Sequence, residues 1–339
     1  MNLAALNAVA EAMVAPGKGI LAADESTGTI QKRFDAIGVE NTETNRRDYR
    51  ELMFRSTDAM AYISGVILFE ETLFQDAADG TPLVDLITAA GAIPGIKVDK
   101  GATKMAGFPG ETATKGLDGL SKRLRGYYER GARFAKWRGV IDIDGPLIPS
   151  WGAIKTNAHS LARYARICQQ EDIVPIVEPE VLMDGSHDIE RCDEVTRRVL
   201  NTVFQELAEQ RVALEGIVLK PNMVIAGKKS KHQATVEQVA EKTIAALKAT
   251  VPSAVPGIAY LSGGQSDIDA TAHLDAMNKI GGFPWKMTFS YGRALQAAPQ
   301  KAWSGKAENA EAAQAAFLHR ARMNGLASTG EWSKALEKA

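Results

Sequence analysis

Long hydrophobic runs are missing from this 339-residue sequence. A bilayer-spanning helix needs roughly 18 or more consecutive apolar residues, and no such run occurs. A membrane span is therefore not expected. Charge of one sign is missing as well: 40 Lys and Arg stand against 41 Asp and Glu, for a formal net charge of -1. Such a chain has no general attraction to nucleic acid or anionic lipid, so any anion it binds must be captured by a local cluster of cations. Cysteine is nearly absent. Cys168 and Cys192 fall in apparent helical segments without metal-ligand spacing, which fits inert packing in a reducing, cytoplasmic compartment. Histidine is scarce: His159, His187, His232, His273 and His319 are scattered, and none ends a candidate strand or has zinc-type spacing. No metal is expected. His187, in "DGSHD", stands among acidic residues but reads as a loop or helix-start residue.

What is present is an ordinary globular composition, 45% hydrophobic and 24% charged, with enough apolar residues for a sizeable core. The start, "MNLAALNAVAEAMVAPGKG", has Glu11 within its apolar pattern and no basic leader, so it reads as a short amphipathic helix. Apolar runs rich in Val and Ile then recur. They are "GILAAD" (19–24), "YISGVILF" (62–69), "IPGIKV" (93–98), "FAKWRGVI" (134–141), "IVPIVE" (173–178), "EGIVLK" (215–220), "GIAYLS" (257–262) and "KMTFSY" (286–291). Each has the length and composition of a buried strand. Segments of helical period lie between them. In "TVEQVAEKTIAALKAT", Val236, Val239, Ala240, Ile244 and Leu247 share one face, and Thr235 with Gln238 has capping-box spacing. Val195, Val199, Val203 and Leu207 recur in the same manner. Eight strands alternating with helices predict a parallel sheet closed into a (β/α)8 TIM barrel. An open doubly wound sheet is the alternative. No linker, low-complexity tract or composition shift divides the chain, so residues 1–339 read as a single barrel domain with a C-terminal tail from about 326.

The predicted strands share an ending, because ionisable residues or glycines gather at their C-terminal ends. Asp24, Lys97 with Asp99, Lys136 with Arg138, Glu178 with Glu180, Lys220, Ser262 with Gly263, and Gly292 with Arg293 form the series. In a barrel these ends make one face, the face that carries active sites. Residues two apart on a strand project to the same side. Three consecutive strands thus each aim a charged pair one way, provided the fifth continues through Pro179. Solvated strand ends would not require that coincidence of spacing.

Lys220, in "GIVLKPN", follows three apolar residues and precedes a proline that biases it toward extended geometry. An unperturbed lysine has a pKa of about 10.4, so neutrality at pH 7 costs about 4.6 kcal/mol. Partial burial and a neighbouring cation reduce that cost, and Lys136 is placed to supply the cation. The alternative is a lysine that pairs with Glu178 or Glu180.

"LSGGQ" (261–265) is also the signature peptide of ATP-binding cassette proteins, but the Walker A loop that such an ATPase needs is absent. At the end of the seventh strand it instead offers backbone N–H groups to an anion, since glycine permits close approach. "SYGR" (290–293) ends the eighth, and loops after strands seven and eight commonly build the phosphate site of such barrels. Arg293 adds a bidentate donor, so a phosphorylated substrate is expected. A second anion site is suggested by Ser26, Thr29 and Arg33 in "DESTGTIQKR", with Lys97 nearby, although Ser and Thr there equally suit a helix cap.

"GILAADESTG", "GIKVDKG", "FAKWR", "VPIVEPE", "LKPNM", "LSGGQS" and "TFSYGRALQ" occur in order from about residue 16 to residue 328, and together they closely resemble the class I, Schiff-base fructose-bisphosphate aldolases. The resemblance implies a (β/α)8 barrel that reversibly cleaves fructose 1,6-bisphosphate to dihydroxyacetone phosphate and glyceraldehyde 3-phosphate. It implies no metal and no separate cofactor, a sugar-phosphate substrate, and a homo-oligomer, usually a tetramer. The Schiff-base lysine falls on Lys220. The carboxylate that shuttles protons falls on Glu178, with Glu180 beside it, the aspartate linked to the C4 hydroxyl on Asp24, and the lysine near the reacting carbons on Lys136. Phosphate contacts fall on Ser262, Gly263, Gly292 and Arg293 at one end, and on Ser26, Thr29, Arg33, Lys97 and Arg138 at the other. Many members end in a tyrosine thought to assist proton transfer at the enamine carbon. Here the last tyrosine is Tyr291 and the sequence closes "EWSKALEKA", so the expectation is that another group or water protonates the enamine. Schiff-base aldolases of fructose 1-phosphate or sedoheptulose 1,7-bisphosphate, and a scaffold that keeps the barrel, are the rival readings.

Overall fold

The computed structural model describes residues 1–338. Eight strands form its barrel: β1 (Gly19–Ala23), β2 (Ile63–Leu68), β3 (Ile93–Lys97), β4 (Phe134–Ile141), β5 (Val174–Val181), β6 (Val218–Leu219), β7 (Gly257–Tyr260) and β8 (Lys286–Tyr291). Each pairs in parallel with its neighbours in chain order, and β8 returns to β1 through Ile20↔Ser290. The sheet is closed, a (β/α)8 barrel, and the open alternative is excluded. Strands covered by helices outside and by each other inside have two buried faces, which is why they read as continuous apolar runs rather than alternating ones. All six residues of β2 are buried.

Two strands depart from the expected limits. β5 continues through Val181, and its register with β4 pairs Arg138↔Glu178 and Val140↔Glu180. The condition on Pro179 is met. β6 is far shorter than its sequence run, because Leu214–Gly216 forms a 3₁₀ turn and Pro221 has no N–H with which to extend the ladder. Lys220 nevertheless keeps strand geometry, since its N–H donates to the Val177 carbonyl at 2.8 Å.

The helix Leu3–Met13, capped by the Asn2 side chain, lies under the barrel and buries Leu6, Ala10 and Met13 with Ile20, Phe134, Val174 and Val218. One tight contact explains a glycine: a Cβ at Gly95 would lie 2.2 Å from the Phe134 ring that fills the barrel floor. The outer helices include Ile189–Glu209, which buries Val195, Val199, Val203 and Leu207, and Val236–Thr250, which begins with the Thr235–Gln238 capping box. The final α-helix, Ala310–Ser328, runs beyond 326, and Trp332 after it is buried, with its indole N–H donating to Glu337. Cys168 and Cys192 are buried in helices, and burial pushes both thiols up, Cys192 to about 11. No helix among the described residues is long and apolar enough to cross a membrane.

One feature had no signal in the strand pattern. After β3 the chain forms an antiparallel hairpin, Ala102–Lys104 with Thr112–Thr114, whose Ala102 and Thr114 line one side of the barrel mouth.

Candidate active site

A cavity of about 400 Å³ opens at the C-terminal ends of the strands, within the ordinary range for a small-molecule site. Every candidate residue identified from sequence lines it, from Asp24 after β1 to Arg293 after β8. Strand register brings them together. Lys97 lies opposite Lys136, and Arg138 opposite Glu178, so the three charged pairs stand side by side around the mouth.

At the centre are two buried amines and two carboxylates. Lys220 Nζ lies 3.2 Å from Glu178 Oε1, and both side chains are 4% exposed. Lys136 Nζ lies 2.8 Å from Asp24 Oδ2 and 3.3 Å from Glu178 Oε2. Burial opposes the charge on Lys136, but Asp24 and Glu178 outweigh it and hold its pKa above the usual lysine range. Burial likewise opposes ionisation of Asp24, yet Lys136 and Lys220 hold its carboxyl well below the usual range. Lys136 is therefore an ammonium and Asp24 a carboxylate at neutral pH. The expected cation beside Lys220 is present, and so is the alternative pairing of Lys220 with Glu178. The two readings coexist because Glu178 divides its oxygens between the two amines.

What holds Lys220 in this position lies one turn of chain further on. The Asn222 Oδ1 accepts from the Val181 N–H at 3.1 Å, and its amide donates to Thr196 Oγ1 at 3.1 Å. The end of β5, the end of β6 and the outer helix are thereby locked together. On the rim, Arg138 donates to Glu180 Oε2 at 2.9 Å. Burial raises the Glu180 pKa, and the nearby Arg138 only partly offsets it.

The two groups of residues expected to bind anions differ in construction. In the loop after β7, Gly263 and Gly264 have φ of +59° and +89°, which favours glycine. Gln265 closes that loop by donating to the Ser262 carbonyl at 3.0 Å, and His273 Nδ1 holds the Gln265 amide oxygen at 2.6 Å. Gly292 precedes the helix Arg293–Trp303. Among the described residues Arg293 forms no ion pair, although it faces the cavity. Across the mouth, Ser26 precedes the helix Thr27–Asp35 but makes no capping bond; its hydroxyl meets Thr29 Oγ1 at 3.2 Å instead. The helix-cap alternative is thus not adopted, and both hydroxyls remain on the cavity wall. Lys97 pairs with Asp99 Oδ1 at 3.0 Å.

Sequence reasoning missed Glu25. This buried carboxylate, 6% exposed, pairs with Arg33 and accepts from Gln296 Nε2 at 2.9 Å, while Arg50 donates to its backbone carbonyl at 2.9 Å. Its partners are remote in sequence or on a neighbouring helix, so no local spacing announces it. Ser290 also lines the wall with its hydroxyl unpartnered among the described residues; alternation along "KMTFSY" was the available signal.

A closed parallel barrel with a lysine amine against a carboxylate, set between two groups of hydroxyl, glycine and cationic side chains, defines a class: a lysine-centred barrel enzyme suited to small anionic substrates. Comparison with known proteins narrows it. Residues 5–339 match the family model "Fructose-bisphosphate aldolase class-I". The chain is 55% identical over 333 residues to a probable fructose-bisphosphate aldolase class 1 of Xanthomonas axonopodis pv. citri, covering 98% of this chain and 99% of that one. It is 56% identical over 328 residues to the cytoplasmic isozyme of Spinacia oleracea, covering 96% and 91%. Its fold superimposes with a TM-score of 0.97, at 50% identity and covering 98% and 96%, on the fructose-bisphosphate aldolase of Plasmodium falciparum, solved in a ternary complex with TRAP and a small-molecule inhibitor. The chain belongs to the class I fructose-bisphosphate aldolase family.

Proposed function

We propose that Lys220 is the amine through which this class I aldolase, a lyase, cleaves fructose 1,6-bisphosphate to dihydroxyacetone phosphate and glyceraldehyde 3-phosphate. The observation that carries this reading is Lys220 Nζ, buried and 3.2 Å from Glu178, between two anion sites. Lys220 gives a proton to Glu178 and attacks the C2 ketone as a neutral amine. Glu178 returns a proton to the carbinolamine hydroxyl, which leaves as water and yields the iminium. C3–C4 then breaks, its electron pair flows into the iminium to form an enamine, and the C4 hydroxyl proton passes to Asp24. Lys136, and after it Lys220, hold Asp24 as a carboxylate, so it is free to accept that proton, and its basicity rises at this step as the positive iminium on Lys220 becomes a neutral enamine. Protonation at C3 and addition of water release dihydroxyacetone phosphate.

Lys136 keeps its charge throughout and orients Asp24 and Glu178. The loops after β7 and β8 take the phosphate on C1, beside the ketone, through Ser262, Gly263, Gly292 and Arg293. Ser26, Thr29, Arg33, Lys97 and Arg138 take the phosphate on C6, and Glu180 holds Arg138. Binding both ends places the scissile bond between the charged groups. Two anion sites favour the bisphosphate over fructose 1-phosphate, a preference that relative kcat/KM values test. Tyr291 is not the enamine acid, since its buried hydroxyl donates to the Ala270 carbonyl at 2.8 Å. Water in the cavity is the proposed donor, and rapid solvent-isotope exchange at C3 of dihydroxyacetone phosphate is its expected sign; exchange far slower than turnover would overturn it. The mechanism needs no metal, and a cytoplasmic homotetramer is the proposed form.

Borohydride reduction in the presence of fructose 1,6-bisphosphate, followed by peptide mass mapping, tests the assignment. A substrate-dependent adduct is expected on Lys220, and none in Lys220→Ala. Near-normal cleavage by Lys220→Ala would sink the mechanism.

A further inference from the structure

Lys228, in the loop after β6, belongs to none of the groups above. Its backbone N–H donates to the Met183 carbonyl at 2.7 Å, and those of Gly227 and Lys229 donate to the His187 and Gly185 carbonyls at 2.9 and 3.0 Å. The segment is thereby stitched to the loop that follows β5. From this fixed base the side chain reaches across to the loop after β7. A Cβ built on Gly264 would meet Lys228 Nζ at 2.6 Å and Arg293 Nη2 at 2.7 Å. Two cations therefore flank the same glycine of the phosphate loop, and a side chain there would push both aside.

Like charges this close repel unless an anion lies between or beside them. Among the described residues the only carboxylate that pairs with either is Asp184, whose Oδ1 is 3.0 Å from Lys228 Nζ. That pair is partly exposed, with the side chains 38% and 62% accessible, so it is weak and readily exchanged. Arg293 has no partner at all among the described residues. The arrangement is one carboxylate short of the two positive charges, at the rim of a site whose wall already offers backbone N–H groups and glycines to an anion.

We infer that Lys228 is a further phosphate-binding residue: it supplies a second cation, beside Arg293, to the phosphate held by the loops after β7 and β8, and Asp184 holds it in readiness. This rests on reading those loops as the phosphate site. Because that phosphate stays with the ketone fragment, Lys228 acts on dihydroxyacetone phosphate and not on the aldehyde partner.

The test is the condensation reaction, with dihydroxyacetone phosphate and glyceraldehyde 3-phosphate varied separately, in wild type, Lys228→Met, Lys228→Arg and Asp184→Asn. Lys228→Met should raise the KM for dihydroxyacetone phosphate about fivefold, the scale of a partly exposed charge contact, leaving kcat and the KM for glyceraldehyde 3-phosphate unchanged. Lys228→Arg should restore most of the affinity. Asp184→Asn should lower the same KM, because it frees the lysine for the phosphate. If Lys228 merely ties two loops together, Lys228→Met and Asp184→Asn will weaken binding in parallel, and that result, or an unchanged KM in Lys228→Met, overturns the inference. Failure of the site reading itself looks different: wild-type protein would then give no borohydride-trapped adduct with dihydroxyacetone phosphate on Lys220.

Discussion

Glu178 illustrates how much depends on single atoms: one oxygen faces Lys220 at 3.2 Å and the other faces Lys136 at 3.3 Å. A carboxylate shared in this way can take a proton from one amine while the second amine keeps its charge stabilised. Glu178→Gln retains the shape and removes the proton shuttle, so kcat is expected to fall about 10²- to 10⁴-fold. A thermal melt on the same sample separates this from unfolding, and a variant that folds and turns over normally would remove Glu178 from the proton path. The charged residues of this centre were legible in sequence because strand alternation fixes the side to which Lys97, Lys136 and Glu178 project. Which oxygen meets which amine was not legible, since it depends on the rotamers of side chains from three strands. Glu25 was invisible for the same reason in stronger form: its importance is conferred by Arg33, Arg50 and Gln296, and nothing in the adjacent sequence encodes them.

Among the elements, the loop after β7 depends on a helix it precedes. His273, in the helix Asp267–Ile280, donates from Nδ1 to the Gln265 amide oxygen, and Gln265 in turn donates to the Ser262 carbonyl. Burial pushes the His273 imidazole down to about 4. An unfolded chain binds that proton near pH 6.5, while the folded chain binds it only near the depressed value. Between those limits the unfolded state holds more protons, so stability is lost as pH falls through that window. Urea midpoints measured from pH 7 to pH 4 should decline less steeply for His273→Asn than for wild type. Parallel profiles would show that His273 does not control the acid limb. The sequence contains "LSGGQSD" and "TAHLD" openly, but the contact between them requires the helix to turn back over the loop. The β6 run shows the opposite limitation: its apolar residues are strand-like, yet Pro221 and the preceding 3₁₀ turn cut the ladder to Val218–Leu219.

For the molecule as a whole, the proposed chemistry is carried by side chains alone. Activity is therefore expected to survive EDTA undiminished, and loss that zinc restores would point to metal-dependent chemistry. Sedimentation equilibrium is expected to give the mass of four chains of 36.4 kDa, and a monomer would refute the proposed tetramer. The class of parallel strands alternating with helices follows from the sequence by itself, with the barrel as its expected form. Buried parallel strands must be apolar along their length, each needs a crossover helix, and eight such units suffice for closure. The sequence also determined the chemical menu, because charge at the strand ends can only gather at one mouth once the strands are parallel. Only the tertiary structure decided that the sheet closes, through Ile20↔Ser290. It alone brought Arg293 and Lys228 to one glycine and placed a hairpin at one side of the mouth. Those contacts join residues far apart in the chain, and their distances are set by how side chains pack in three dimensions, which local periodicity does not encode.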